Sequence, residues 1–380
     1  MKNINDKLFF LLTILFLLFV LSGCKNNVHN SPPPLTEDDS NVEKETTSLS
    51  NSTFLPINIQ SGYFNTICGW LDDMRLLYIT DHENGSEVYI YNLQNGDSEL
   101  FFKSEAPIVS VLLSPSKEKV LIHSSYTTNE ATLSVLDNSG QEIVTKKIPS
   151  AEVSLEWNPF DENRILVSSF SEDWEFNVFQ LNIKQGTLQE ILVPQPFGSW
   201  VDSNKLLYLD WDEETPTLTT DLRGFNLATS NSEYYFSNIY HLDSLGNNFF
   251  TISVEEENKE NATYSFYSNE MEKTGDFNIP HLSQYSGWFI PYYDYNVEKA
   301  TFLTNQPVSS TDVDLYSEGF QLVSHNIETG EETVILQGLE NEPISCSPSG
   351  EVCLMGFYYE KLLNLNTKEV TPLVEEKYLQ

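Results

Sequence analysis

The amino-acid sequence predicts an all-β fold, a β-propeller, and three observations predict it. A strongly apolar strand recurs seven times at a spacing of roughly 40–52 residues. Each copy follows a tight turn and precedes a variable loop and two further strands. No window of about a dozen residues beyond Cys24 carries a convincing 3.6-residue period, while Tyr, Phe, Val, Ile and Thr dominate. Four short strands per unit at this spacing is the propeller pattern. A row of β-sandwich domains would not set an apolar strand behind a Ser-Pro-type hairpin in unit after unit.

The seven second strands are Arg75–Ile79, Lys119–His123, Arg164–Ser168, Lys205–Leu209, Asn248–Ile252, Lys299–Leu303 and Glu351–Met355. The turns before them are expected at Leu71–Asp73, Ser114–Ser116, Asn158–Asp161, Val201–Ser203, Ser244–Gly246, Tyr293–Tyr295 and Ser347–Gly350, where Pro, Gly, Asn and Asp favour tight reversal. Third and fourth strands are clearest at Val88–Leu93 and Ser98–Phe102, joined by Gln94-Asn95-Gly96. Phe54–Ile59 is a spare strand, free to pair with the last blade and close the ring.

Ahead of this body stand two other segments. Lys2 and Lys7 precede an apolar run, Leu8 to Val20, that ends in Leu21-Ser22-Gly23-Cys24. The run is shorter than the ~20 residues of a spanning helix, and a charged start with small residues before a cut marks a secretory signal over residues 1–23. The cysteine directly after Leu-Ser-Gly resembles the lipobox of bacterial lipoproteins. That resemblance implies cleavage before Cys24, a diacylglycerol on its thiol, and attachment to a membrane surface on the extracytoplasmic side. Residues 24–53 are rich in Asn, Ser, Pro, Thr, Asp and Glu, including Ser31-Pro32-Pro33-Pro34. They cannot bury enough apolar surface to offset their ordering entropy, and so read as a disordered tether of about 30 Å mean reach. The propeller is expected over 54–380.

The whole chain carries 20 basic and 56 acidic residues, a net charge of −36. Without residues 1–23 the balance is 18 to 55, so the acidity belongs to the exported body. Such a surface excludes nucleic acid as a partner, since a phosphate backbone needs Lys and Arg in excess.

The Ser-Pro-Ser turns at Ser114–Ser116 and Ser347–Ser349 resemble the Ser-Pro-Asp-Gly hairpins of TolB-like and dipeptidyl-peptidase-like propellers, with Ser in place of the Asp. Together with the lipobox, tether and Trp-marked strands, the stretch from about Phe54 to Glu376 resembles the YqgU-like lipoproteins of Firmicutes. The resemblance implies six blades, whereas the repeats number seven. Six is kept as the alternative.

Catalytic signatures are scarce. The six histidines show no metal-ligand spacing, and neither a HExxH motif, a Gly-x-Ser-x-Gly elbow nor an EF-hand run occurs. No catalytic residue and no metal ligand is assigned, although Ca2+ in the acidic rim is a further candidate. Cys68 lies in the first unit, with Cys346 and Cys353 in the last. First and last blades are neighbours in a closed ring, which makes Cys68 with Cys346 or Cys353 a candidate staple; the alternative is three small buried side chains.

Charge distribution carries the functional reading. The loops joining second and third strands all open on one face of a propeller. They hold Asp81, Glu83 and Glu87; Glu172, Asp173 and Glu175; Asp210, Asp212, Glu213 and Glu214; Glu255, Glu256, Glu257 and Glu260; and Asp312, Asp314 and Glu318, with Lys259 the one base among them. Trp174, Trp211, Tyr126, Tyr316, Tyr358 and Tyr359 accompany them. Carboxylates steer a cationic partner and rings supply contact area. The expected function is therefore a non-catalytic scaffold that binds a protein or envelope component with a basic surface. The competing explanation is that the acids simply solubilise an exported protein. Two alternatives place function in the central channel: a small-ligand or cation sensor, and a lactonase-type hydrolase. Asn65, Glu156, Asp202 and Asp243 are the candidate polar groups there. Inner strands such as Ile108–Leu113 are mainly apolar, which disfavours the hydrolase.

Overall fold

The structure, a computed structural model, describes residues 54–379 except 213, 216, 256, 285 and 286. The signal segment, Cys24 and the tether lie outside the described residues, as do Glu213 and Glu256.

Seven four-stranded antiparallel sheets follow one another along the described chain. Numbered as blades 1–7, their innermost strands are Tyr63–Trp70, Ile108–Leu113, Glu152–Trp157, Ser199–Asp202, His241–Leu245, Tyr293–Asn296 and Ile344–Cys346. The second strands begin at Arg75, Lys119, Arg164, Lys205, Asn248, Thr301 and Val352, within two residues of their expected starts.

The arrangement of the core explains why these second strands are apolar at consecutive positions rather than alternate ones. Each is sandwiched between two neighbouring blades, so both of its faces are buried. Leu76 packs with Trp70, Val352 and Leu354 between blades 1 and 7, whereas Leu77 packs with Ile108 and Ile122 between blades 1 and 2. Phe249 joins Leu207 and Leu222 between blades 4 and 5, while Phe250 joins Phe302 between blades 5 and 6. Clusters of the same kind fill the remaining seams, blade 2 on 3, 3 on 4 and 6 on 7. Because the cluster between blades 7 and 1 is as apolar as the others, the ring is closed. A seven-membered closed ring is what the repeat count predicts.

Closure does not use a full extra strand. Residues 54–59 form one parallel bridge, Ile57 with Val374, and the Ile57 N–H donates to the Leu373 carbonyl at 2.7 Å. Ile57 is buried in the seam between blades 1 and 7, and Tyr91 donates its hydroxyl to the Leu55 carbonyl at 2.7 Å. Across the same seam the Trp70 indole N–H donates to Ser345 O at 2.9 Å, and Ser349 N–H to Asp73 Oδ1 at 2.7 Å.

The cysteines depart from expectation. Cys346 and Cys353 are bonded to each other, and Cys68 is a free thiol. The two bonded residues stand directly opposite in the first hairpin of blade 7, so their β-carbons meet within a single blade. Cys68 instead packs against the cluster between blades 1 and 2, on the far side of its strand from blade 7. The sixth turn also differs. Tyr293–Asn296 is strand, and the reversal comes at 297–300, where Asn296 Oδ1 accepts the Lys299 N–H at 2.9 Å and Ala300 takes a φ of 47°. An Asx turn replaces the Gly or Pro signal.

Candidate functional site

In each blade the second-to-third loop and the link to the next blade emerge on the same face, called here the upper face. Upper-face loops of blades 4, 5 and 6 enclose a groove of about 1100 Å3. Its walls include Thr217–Thr219 from blade 4, Glu255, Glu257 and Lys259 from blade 5, and Ser310–Asp312 from blade 6. A small added sheet shapes the blade 6 side. Leu282–Gln284 pairs with Gly287–Trp288 and runs parallel to Thr311–Asp312. Ser310 donates its hydroxyl to the His281 carbonyl at 2.7 Å, and the buried His281 ring meets the Lys259 carbonyl at 3.2 Å. The groove is thus built by contacts between loops far apart in sequence.

The acids of this face divide into two groups. Some are consumed internally. Asp81 accepts from Asn65 Nδ2 at 2.6 Å and from Ser86 Oγ at 2.7 Å. Glu87 is buried between Lys103 Nζ, the Tyr89 hydroxyl and His82 Nε2, and the Lys103 and Tyr89 hydrogen bonds hold its carboxyl below the usual range. Asp210 pairs with Arg223 Nε at 2.7 Å, a cation supplied by a strand rather than by a loop. Asp212 accepts from the Thr215 hydroxyl and the Glu214 N–H, which lowers its carboxyl and folds its own loop. Asp312 accepts the Asp314 N–H at 2.9 Å and caps the short 3-10 turn Val313–Leu315. Others are solvent-exposed: Glu172, Asp173 and Glu175 on blade 3, Glu214 on blade 4, Glu255 and Glu257 on blade 5, Asp314 and Glu318 on blade 6. Trp174 is 66% exposed at a φ of 64° and leans on Phe170 at 5.9 Å, whereas Trp211 is partly buried.

The channel candidates also separate. Asn65 belongs to the blade 1 rim through Asp81, and Asp202 is exposed at the end of the blade 4 inner strand on the opposite face, accepting the Asn204 N–H at 2.5 Å. Glu156 and Asp243 come together across blades 3 and 5; burial raises the Glu156 carboxyl and the Asp243 charge raises it further. Asp243 Oδ2 accepts the Tyr293 hydroxyl at 2.5 Å, and that hydroxyl lies 3.1 Å from His241 Nε2. Asp243 and Tyr293 line a channel cavity of about 450 Å3 together with Asp294 and Tyr359. Burial raises the Asp294 carboxyl, against the Cys346 and Tyr295 N–H groups and Lys117, which lower it. Sequence reasoning did not single out Thr217–Thr219, Ser310, His281 or Asp294 as site residues. Only an Asp set between two tyrosines on an inner strand signals the last of these. Among the described residues no group of three His, Cys, Asp or Glu side chains is placed to hold a metal ion, and no helix is long and apolar enough to cross a membrane.

Comparison with known proteins matches residues 92–356 to the YqgU-like 6-bladed beta propeller domain. The uncharacterized lipoprotein YqgU of Bacillus subtilis strain 168 is 24% identical over 308 residues, covering 80% of this chain and 83% of that protein. Among solved structures, the uncharacterized protein lmo1340 of Listeria monocytogenes EGD-e superimposes with a TM-score of 0.78 at 22% identity, covering 85% of this chain and 98% of that one. The β-propeller domain of the Trilobed protease from Pyrococcus furiosus, at 14% identity and a TM-score of 0.54, covers 84% of this chain and 99% of its own. These likenesses speak to fold. The matched span contains five complete blades plus the fourth strand of blade 1 and the first two of blade 7, while the described residues hold seven four-stranded blades. On the span matched, which is more than half of the chain, the chain belongs to the YqgU-like β-propeller family.

Proposed function

We propose that this protein is a lipid-anchored, extracytoplasmic binding propeller that holds a partner with a basic surface on its upper face, without catalysing a reaction. The observation that carries the reading is the groove of about 1100 Å3 walled by loops of three successive blades and bearing Glu255, Glu257 and Asp312. A concavity of that size accepts an extended segment or a protruding loop, and exposed carboxylates at its wall raise the encounter rate of a cationic surface. Trp174 and the blade 3 acids extend the contact area beyond the groove.

Two measurements test this. Crosslinking and pull-down from intact cells at low and high salt should recover a partner that high salt releases. Glu255→Gln with Glu257→Gln should cut recovery severalfold and flatten the salt dependence, because both effects come from screened charge. Unchanged recovery with unchanged salt dependence would sink the proposal. For the anchor, Cys24→Ser should move the protein from the membrane fraction to the soluble one, since two acyl chains supply the stable attachment. Membrane retention of that variant would place the anchor elsewhere.

A further inference from the structure

A second, smaller cavity lies on the inner side of the seam between blades 3 and 4, apart from the groove. It holds about 200 Å3. The first and second strands of blade 3 contribute Ser154, Glu156 and Ser168, the link to blade 4 contributes Gln195 and Phe197, and the blade 4 upper loop contributes Trp211.

Three features of this lining converge. The Glu156 carboxyl receives no hydrogen bond and no ion pair from any described residue, its backbone carbonyl alone accepting the Trp200 indole N–H, and the charge that acts on it is another acid, Asp243. Two of the donors around it are already used, and the Ser154 and Ser199 hydroxyls can turn to donate or accept. Gln195 Nε2 donates to the Trp211 carbonyl at 2.9 Å, and the Ser168 hydroxyl donates to the Pro196 carbonyl. What these groups still offer is acceptor oxygens. Phe197, 61% exposed and stacked on Phe170 at 5.4 Å, and Trp211 add aromatic faces whose quadrupole favours a cation. A cavity that offers acceptors, one unpaired carboxyl and two rings lacks only a small positively charged donor.

We propose that this cavity binds the primary ammonium group of a small organic amine, with Glu156 as counter-ion, Gln195 and Ser168 as hydrogen-bond acceptors, and Phe197 and Trp211 as the aromatic walls. The volume admits a short aliphatic or amino-acid-sized molecule and excludes a peptide. The site stands independently of the groove on blades 4–6, so either can fail without the other.

Desolvation, with Asp243 second, lifts the Glu156 carboxyl to about 8, so an incoming ammonium must displace its proton. Other titratable groups on the packed inner strands are His241, kept neutral by burial, and Tyr293, whose hydroxyl is held by Asp243. An alkylammonium stays charged over the same range, so amine affinity should rise nearly tenfold per pH unit up to about 8 and then level off.

Calorimetric titration of the intact protein with butylammonium, 1-butanol and tetramethylammonium decides the matter. Saturable butylammonium binding that follows this pH profile is expected, with 1-butanol and tetramethylammonium at least about tenfold weaker because one lacks the charge and the other the N–H donors. Glu156→Gln should weaken butylammonium at least about tenfold and abolish the pH dependence. Phe197→Ala, at an exposed position, should weaken it by roughly threefold to thirtyfold. Equal affinity for the alcohol, equal affinity for tetramethylammonium, no saturable amine binding, or unaltered binding by Glu156→Gln would each overturn the proposal. Retained capture of the basic partner by Glu156→Gln would show that the two sites are separate.

Discussion

Raising the pH from about 6.5 to about 9 is expected to weaken the folded protein, and Glu156→Gln is expected to remove most of that loss. The Glu156 carboxyl sits at about 8 in the folded state against 4.5 in an ordinary setting, with burial the larger cause and Asp243 the second. Between those two values the folded chain keeps a proton that the unfolded chain has released. Stability therefore falls as pH rises through that window, by up to about 1.4 kcal/mol per unit, and levels off above it. Solvent reaching the carboxyl through the cavity moderates the total to about 2–4 kcal/mol. Asp294, also raised by burial, contributes in the same direction.

Histidines act at the other end of the scale. Burial lowers His123, His241, His281 and His325, the last to about 4, so their contribution is present above about 6.5 and is lost as pH falls below it. The informative quantity is thus the difference between wild type and Glu156→Gln, obtained from urea unfolding at a series of pH values. The two curves should meet near pH 5 and separate by about 2–4 kcal/mol near pH 9, with the variant more stable. Parallel curves would mean that Glu156 ionises freely in the fold. Saturating butylammonium should raise wild-type stability at high pH and leave the variant unchanged, which ties the same carboxyl to its ligand.

Trp70→Ala should cost about 3–5 kcal/mol, more than loss of the disulfide. Trp70 ends the innermost strand of blade 1 and is buried in the seam with blade 7 beside Ile57 and Leu354. Its removal leaves a cavity at the junction where the two ends of the sheet series meet and strands the Ser345 carbonyl that its indole N–H served. The Cys346–Cys353 bond, by contrast, joins residues seven apart in sequence inside one hairpin. So short a loop is worth at most about 2.5 kcal/mol of chain entropy, and the bond crosses no seam. Cys346→Ser with Cys353→Ser should therefore lower stability modestly and leave hydrogen-exchange protection of blades 1 and 7 in place. Trp70→Ala should lower protection in both blades together. If the double serine variant opened the junction more than Trp70→Ala, packing would not be what closes the ring.

How much of this is legible without the fold follows from the range of the interactions. Within a blade every strand pairs with its sequence neighbour, so apolar runs such as Arg75–Ile79 and Lys205–Leu209, set behind their turns, register in the one-dimensional pattern. The sixth turn escaped because Asn296 bonds to its own backbone there, a quieter signal than Gly or Pro. Acid-rich upper loops were equally plain. Which acids are free was not, since Glu87 meets Lys103 from the next strand and Asp210 meets Arg223 across the sheet.

By itself, then, the sequence determined the all-β class, the seven-fold repeat of second strands, the strongly acidic body and the lipobox-like cysteine, because each is a matter of local pattern or of composition. Tertiary structure alone decided that Cys68 would face the seam between blades 1 and 2 and not blade 7, that loops of blades 4, 5 and 6 would enclose one groove, and that Glu156 would stand unpaired beside Phe197 and Trp211. Those outcomes depend on which blades share a seam and which side of a strand faces it. A closed ring fixes both through packing between residues tens to hundreds of positions apart, and no spacing along the chain encodes them.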